Sequence, residues 1–133
     1  MDIFVVNEVQ SMLTHDAFLF THPVTLNKVR SVVDIEKVFD SVSYLKGGAL
    51  VRMLYHIMTP DLFQKAIRDY LQQNSLKSVT EDDLWDSLGS VQNELELDLP
   101  TDIAEIMYFW THEAGFPLLM VERDEDGSIN LTQ

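Results

Sequence analysis

The sequence contains no cysteine, only four prolines and only nine basic side chains in 133 residues. The absence of cysteine excludes a disulfide framework, a thiolate zinc site and a cysteine nucleophile. No run of about 18 apolar residues exists, and the N-terminus lacks the basic flank of a signal peptide, so we expect a chain that neither spans a membrane nor exports itself. Nine basic against 22 acidic side chains give a net charge of −13. This charge argues against nucleic acid as a partner, because phosphate binding depends on lysine and arginine.

A hydrophobic content of 46%, with seven Phe, four Tyr and two Trp, is enough to form a buried core. At this length we expect one domain or a part of one. Residues 1–60 carry five basic and six acidic side chains, whereas residues 61–133 carry four and sixteen. We interpret the second half as a solvated acidic face that favours solubility.

Apolar residues recur at helical spacing along most of the sequence, which predicts a mainly α fold. The predicted helices cover residues 2–13, 34–39, 42–58, 60–71, 80–91 and 103–110. Loops are predicted for residues 22–31, where a His-Pro pair interrupts the pattern, and for the acidic stretch 93–100.

Capping residues support three of these helix boundaries. Thr59 is a good N-cap, with Pro60 at the first helical position. Thr80-x-x-Asp83 resembles a capping box, with Asp in place of the usual Glu. Gly115 is expected to end the last helix in the left-handed conformation that glycine adopts most easily.

The period changes from helical to alternating after Gly115. Apolar residues alternate on both sides of an Asp-Glu-Asp-Gly-Ser turn at residues 124–128, which predicts a hairpin over residues 116–132. A lone two-stranded hairpin is marginally stable in water, so we expect the sheet to continue in a longer parent chain.

The four histidines are the first candidates for a metal site, but none has a second ligand at a useful spacing. They are His15, His22, His56 and His112. His112-Glu113 begins like the H-E-x-x-H zinc motif, yet Phe116 occupies the position of the second ligand. We therefore expect this chain to bind no metal or other cofactor by itself.

Gly47 and Gly48 interrupt the apolar stripe of the predicted helix 42–58. Each glycine costs about 1 kcal/mol relative to alanine in a helix, so we expect a close backbone approach at this turn. Tyr44 lies one turn earlier. From the residues alone, a core tyrosine with a hydrogen-bonded hydroxyl is the simpler interpretation of Tyr44.

A resemblance to a known family changes that interpretation. The segment Ser43-Tyr44-x-Lys46-Gly47, followed by Arg52-Met53-Leu54, resembles the part of the aminopeptidase N family of zinc aminopeptidases, the gluzincins, that carries their active-site tyrosine. Three further stretches agree with the family in order and distance. They are His22-Pro23-Val24, Thr80-x-x-Asp83-Leu84-Trp85 and Trp110-Thr111-x-x-x-Gly115-Phe116-Pro117-Leu118.

The resemblance implies that residues 1–115 are the helical, C-terminal part of a thermolysin-like catalytic domain. Residues 116–133 would be the first hairpin of a following β-sandwich. It also implies that the Tyr44 hydroxyl donates a hydrogen bond to the oxyanion formed when zinc-bound water attacks the scissile carbonyl. The family's H-E-x-x-H and G-x-M-E-N motifs, which precede the tyrosine segment, are not in this chain. Zinc would then be held by other parts of a parent enzyme, and this chain alone would be inactive.

Peptides are the substrates implied for the parent, and the remainder of the catalytic domain and the β-sandwich would pack against this chain. The resemblance favours a membrane-anchored or secreted ectoenzyme, with a cytoplasmic enzyme also open. The alternative from another class is an acidic helical protein-interaction module without catalysis, in which Tyr44 belongs to the core. An H-E-x-x-H motif upstream in the full-length sequence would distinguish the two hypotheses.

Overall fold

The chain forms helices followed by a hairpin in a computed structural model that describes residues 2–26, 28–94 and 99–133. A π-helical stretch, Val5–Val9, leads into α1, Gln10–Asp16, and α2 spans Val32–Lys37. A second π-helical stretch, Val42–Lys46, continues into α3, Gly47–Met58. Helices α4, α5 and α6 span Pro60–Gln73, Glu81–Glu94 and Ile103–His112. The strands are β1, Met120–Arg123, and β2, Ile129–Thr132. The predicted mainly α fold with a terminal hairpin is confirmed.

The hydrophobic core lies between helices α3 to α6. Helix α5 packs against α4 and α6, and α4 packs against α3. Each of the four helices contributes buried apolar side chains, because each has an apolar face at helical spacing. The buried core residues are Leu50, Leu54, Met58, Ala66, Leu88, Val91, Ile103 and Met107.

Polar side chains fix the start of α6 against α5. The Gln92 side chain on α5 accepts a hydrogen bond from Ile103 N at 3.0 Å and donates one to the Thr101 carbonyl at 3.1 Å. Asp102 is the N-cap of α6, and its carboxylate accepts from Ala104 N at 2.7 Å. These bonds satisfy N–H groups that have no partner within the helix.

Several predicted boundaries require correction. The first helix continues three residues beyond the predicted end at Leu13, because Asp16 is held in a buried ion pair that apolar periodicity does not report. Helix α2 begins at Val32 rather than Asp34, since the Ser31 hydroxyl caps it by accepting from Asp34 N at 3.2 Å. Residues 93 and 94 belong to α5 rather than to the predicted loop, and residues 95–98 of that loop lie outside the described residues.

Two of the capping predictions are correct in position but wrong in detail. Thr59 precedes α4 with Pro60 in its first turn, but its side chain makes no capping bond, because its backbone has a positive φ of 70° where α3 turns directly into α4. At α5 the Asp83 carboxylate accepts from the Thr80 N–H at 2.7 Å, which is one half of a capping box. The other half is absent, since the Thr80 hydroxyl also donates to Asp83.

The glycine predictions are also corrected. The expected close backbone approach at Gly47 and Gly48 is wrong for the described residues. A Cβ on Gly47 would meet nothing within 4 Å, and one on Gly48 would meet only the Phe4 ring at 3.9 Å. Gly115 has the predicted positive φ of 80°, but α6 already ends at His112, so Gly115 lies in the following turn and not at the helix cap.

The terminal hairpin has the predicted turn but short and exposed strands. Strands β1 and β2 pair antiparallel with Val121 opposite Leu131. The turn is closed by a hydrogen bond from Asp124 N to the Ser128 carbonyl at 3.0 Å, and Gly127 adopts a positive φ of 88°. Every strand residue is exposed.

Within the described residues, none of the helices combines the length and the apolar character that a bilayer-spanning helix requires.

The exposure of the hairpin predicts that it opens more readily than the helical core. Amide hydrogen exchange on the 133-residue chain should be on the order of 10² times faster in residues 129–133 than in residues 49–57, because β2 buries no side chain whereas α3 lies in the core. Equal protection of the two segments would contradict this prediction and would mean that the hairpin is stabilised as part of a complete domain.

Candidate functional site

Tyr44 lies on the surface, in the π-helical stretch Val42–Lys46. Its side chain is 63% exposed, and its ring centroid is 6.3 Å from that of Phe39. The two rings lie at the edge of a cavity of about 310 Å³. The cavity is lined by Val24, Leu26, Val29, Val38, Phe39, Ser43 and Tyr44. No group in the described part of the chain forms a hydrogen bond with the Tyr44 hydroxyl, so the interpretation of Tyr44 as a core tyrosine with a bonded hydroxyl is wrong for these residues.

The π-helical conformation is a feature that the sequence did not reveal. A π-helix is rare and often occurs at functional sites. Within this stretch Tyr44 is mostly exposed, whereas Lys46, two residues later, is 1% exposed, because residues two apart do not share a face of a helix. Tyr44 is therefore exposed on a helical stretch whose last residue, Lys46, is anchored in the interior.

Asp40 holds the first turn of this segment. One carboxylate oxygen, Oδ1, accepts a hydrogen bond from Ser43 N at 3.0 Å. The Asp40 carbonyl accepts from Tyr44 N at 3.1 Å. Asp40 thus satisfies N–H groups at the start of the helical segment, as a capping residue does.

His22 pairs with the other Asp40 oxygen. The distance from His22 Nε2 to Asp40 Oδ2 is 2.8 Å, and His22 Nδ1 lies 2.8 Å from the Pro23 carbonyl oxygen. Burial lowers the pKa of His22, but the hydrogen bond to Pro23 and the pairing with Asp40 outweigh it, so the pKa of His22 is raised above 6.5. Burial raises the pKa of Asp40, but the bonds from Ser43 N and His22 prevail and lower it.

These opposite pKa shifts define the pH range in which the pair is formed. The contribution of His22 to stability is complete below the pKa of the unfolded state and is lost as the pH rises through the raised pKa of the folded state. The contribution of Asp40 is present above its unfolded pKa and is lost as the pH falls through its lowered folded pKa. The pair is therefore strongest between those two folded pKa values.

The Lys46 ammonium is the central buried charge. It lies 2.9 Å from Asp16 Oδ2, and both side chains are 1% exposed or less. It donates hydrogen bonds to the carbonyl oxygens of Gly115 at 2.7 Å and Glu113 at 3.2 Å. Asp16 Oδ2 makes no directed hydrogen bond, so its contact with Lys46 is an electrostatic pairing. Asp16 Oδ1 accepts from Gly115 N at 3.1 Å and from the Thr21 hydroxyl at 2.6 Å.

A further cluster joins the remaining motifs. The Thr25 hydroxyl donates to Glu81 Oε2 at 2.6 Å, and Thr25 N donates to the Thr111 carbonyl at 2.9 Å. His112 Nε2 lies 3.2 Å from Glu81 Oε1, and its ring stacks on Tyr108 with a centroid separation of 4.3 Å. The segment after His22-Pro23, the start of α5 and the end of α6 therefore meet at Glu81.

The four motif regions singled out in the sequence are thus joined by direct contacts. Sequence reasoning selected Tyr44 but missed the charged groups that hold its helix. These groups are Asp16, Asp40, Lys46 and Glu81. A signal existed for Lys46, which falls between apolar residues in a predicted buried helix, but the sequence offered no means of finding its partner 30 residues away.

The described residues do not fit a zinc site. No three His, Asp or Glu side chains in residues 2–26, 28–94 and 99–133 lie close enough together to hold a metal ion. His22 and His112 instead pair with single carboxylates, and His15 Nδ1 contacts the Ser11 carbonyl at 2.7 Å.

A larger depression, of about 640 Å³, lies along α4 and carries no catalytic arrangement. Its lining comes from α4 and the following turn, and Arg68 is its one charged residue. The smaller cavity beside Tyr44 is therefore the better candidate site.

Comparison with known proteins identifies the class of this chain. Residues 1–110 match the Peptidase family M1 domain. Aminopeptidase N of Bos taurus is 38% identical over 124 residues, which are 91% of this chain and 13% of the relative. Aminopeptidase Ey of Gallus gallus is 35% identical over 122 residues, 90% of this chain and 13% of the relative. Aminopeptidase N of Homo sapiens is 31% identical over 123 residues, with coverages of 91% and 13%.

The chain belongs to the peptidase M1 family. The resemblance to the aminopeptidase N family is thereby confirmed. The chain spans about 13% of the length of the curated relatives it matches.

The buried pair predicts a large stability effect at Lys46. Replacing Lys46→Met should lower the free energy of unfolding by about 3–5 kcal/mol, because it leaves the Asp16 carboxylate buried without a counter-charge. Adding Asp16→Asn should recover part of this loss, since the uncompensated charge disappears. Denaturant unfolding of the single and double variants measures both effects.

Lys65→Met is the matched control, because Lys65 also contacts two carboxylates, Asp69 and Glu94, but is 40% exposed. Its unfolding midpoint should not change measurably. Equal effects of Lys46→Met and Lys65→Met would show that the buried pair has no special role in the fold.

Proposed function

We propose that this chain is the tyrosine-bearing helical part of a zinc aminopeptidase that hydrolyses N-terminal residues from peptides. The observation that carries the proposal is the exposure of Tyr44 beside an open cavity, on a helical segment held at both ends by charged side chains. Membership of the M1 family and the similarity to aminopeptidases support an aminopeptidase as the parent.

The role proposed for Tyr44 is that of a hydrogen-bond donor. As a nucleophilic water attacks the scissile carbonyl, negative charge develops on the carbonyl oxygen, and the Tyr44 hydroxyl donates to that oxygen. Such a donor, fixed before the reaction begins, contributes about 3 kcal/mol of transition-state stabilisation. Rigid anchoring matters because a shift of about 1 Å in a positioned group can cost about 10²-fold in rate.

Zinc would be held by residues outside this chain, since the described residues do not fit a zinc site. Its chemical contribution in the parent is to polarise the water and the carbonyl. The contribution of this chain is the phenol donor and the apolar cavity beside it.

The proposed arrangement assigns residues 1–115 to the catalytic domain and 116–133 to the start of a β-sandwich. The match to the M1 domain ends at residue 110, close to this boundary. Large apolar side chains are exposed in the segment after α1 and along the hairpin, and we propose that the rest of the catalytic domain and the β-sandwich cover them. They include Phe18, Leu19, Phe20, Leu118, Val121, Ile129 and Leu131.

Replacing Tyr44→Phe in the parent enzyme tests the role of the hydroxyl. The turnover number kcat should fall by about 10²–10³ while KM stays within a fewfold, because the lost interaction exists mainly in the transition state. The melting temperature should stay unchanged, since the removed hydroxyl is exposed and makes no hydrogen bond with described residues.

Tyr55→Phe is the control, because Tyr55 lies on α3 with its ring packed edge-on against Phe63. It should leave kcat unchanged. Near-normal turnover of the Tyr44→Phe variant, with a lowered melting temperature, would remove Tyr44 from the catalytic residues and would favour the alternative of an interaction module.

The proposed origin of the zinc ligands predicts that the 133-residue chain holds no stoichiometric zinc. A closed zinc site requires three or four N, S or O ligands in tetrahedral geometry. Elemental analysis after dialysis against a zinc-containing buffer, with and without a chelator, measures this directly. One chelator-sensitive zinc per chain would contradict the prediction and would point back to the histidines.

A further inference from the structure

His22 and Asp40 lie directly behind the start of the Tyr44 helix. Asp40 is bonded to His22 through Oδ2 and to Ser43 N through Oδ1, while its backbone carbonyl accepts from Tyr44 N. A single side chain therefore connects the loop that begins at His22 to the turn that carries Tyr44. Neither His22 nor Asp40 lines the 310 Å³ cavity, so they do not face the space beside Tyr44.

Both ring nitrogens of His22 face acceptors. The Pro23 carbonyl oxygen can only accept, and so can the ionised Asp40 carboxylate, so this geometry requires a proton on Nδ1 and on Nε2. The doubly protonated ring is the imidazolium cation, which makes the bond to Asp40 charge-assisted and stronger than a neutral one.

The other ionisable groups around His22 come from α1. His15 lines the same surface cavity, of about 370 Å³, as His22 and Asp40. Asp16 also favours the His22 cation through its charge, although Asp16 is itself paired with Lys46. The net effect of burial, Pro23, Asp40 and Asp16 is a raised pKa of His22.

We infer that His22 and Asp40 are positioning residues for Tyr44, in that their charged pair fixes the first turn of the π-helical stretch and thereby the direction of the Tyr44 hydroxyl. This inference rests on the proposed function of Tyr44. It adds that the hydroxyl is correctly directed only while His22 carries its proton. Loss of that proton leaves a single N–H for two acceptors, Pro23 O and Asp40 Oδ2, and removes the charge that strengthens the bond to Asp40. The contact between the His22 loop and the turn that Asp40 caps is thereby weakened.

Two Asp40 variants of the parent enzyme separate the capping bond from the charge. Asp40→Ala removes both, and kcat should fall about 10-fold or more with KM within about threefold, since misdirected groups lose mainly transition-state contacts. Asp40→Asn keeps an oxygen that can accept from Ser43 N, so it should retain more of the activity. Equal kcat values for the wild type and both variants would overturn the inference.

A double-variant cycle distinguishes positioning from general structural damage. Adding Asp40→Ala to Tyr44→Phe should lower kcat less than about twofold further, because no hydroxyl remains to be directed. An additional fall as large as in the wild-type background would overturn the inference and leave the proposed function standing. If Tyr44→Phe alone leaves kcat unchanged, the proposed function itself fails.

The pH profile supplies a readout that a merely structural role would not change. In the wild type, kcat should decline as the pH rises through the pKa of His22, and His22→Gln should abolish this decline and lower the plateau. His56→Gln is the control, since His56 lies on α3 against the Tyr55 ring, and this variant should leave the pH profile unchanged.

The titration of His22 can also be followed without activity. An NMR titration of the 133-residue chain should show a His22 pKa above 6.5. An alkaline limb that is identical in wild type and His22→Gln would overturn the inference.

Discussion

The buried Lys46 ammonium is the interaction on which the arrangement of this chain depends. A charge in the interior is tolerated only when it is paired and hydrogen-bonded, and Lys46 achieves this with one carboxylate and two backbone carbonyls. These acceptors come from α1 and from the turn after α6, which are far apart in the sequence. Satisfying one ammonium group therefore brings the first helix, the Tyr44 segment and the glycine turn into a fixed arrangement.

The same kind of polar contact holds the backbone on both sides of the exposed Tyr44. Tyr44 is 63% exposed, but Asp40 caps the start of its helical stretch and Lys46 anchors the end of the same stretch. A functional side chain is positioned best when neighbouring packing and hydrogen bonds restrict its supporting backbone. Here the supporting bonds are polar and charged, which makes the position of Tyr44 sensitive to single substitutions well away from its hydroxyl.

The chain exposes many large apolar side chains outside its helical core. Leu19 and Phe20 are 97% and 96% exposed, and the hairpin has no buried side chain. Contiguous exposed apolar surface marks an interaction site in soluble proteins. This distribution agrees with the proposal that the chain is one part of a larger enzyme, with its own core in α3 to α6 and its contact surfaces in the segment after α1 and at the hairpin.

Local sequence patterns were sufficient to predict most of the helices and the hairpin. Apolar periodicity predicted α3 to α6, because each buries one face at 3.6-residue spacing, and the Asp-Glu-Asp-Gly-Ser turn predicted the hairpin. Motif order also identified the family and pointed to Tyr44. The π-helical conformation was not predicted, and neither was the role of Gly115, which donates to Asp16 and accepts from Lys46 rather than capping α6.

The polar groups that hold the candidate site could be recognised only from contacts between distant segments of the folded chain. The pairs His22 with Asp40, Lys46 with Asp16 and His112 with Glu81 join residues 18, 30 and 31 positions apart. Periodicity and capping patterns report the preferences of a few neighbouring residues. The burial of a charge depends instead on a counter-charge that the folded chain brings to it from a distant segment.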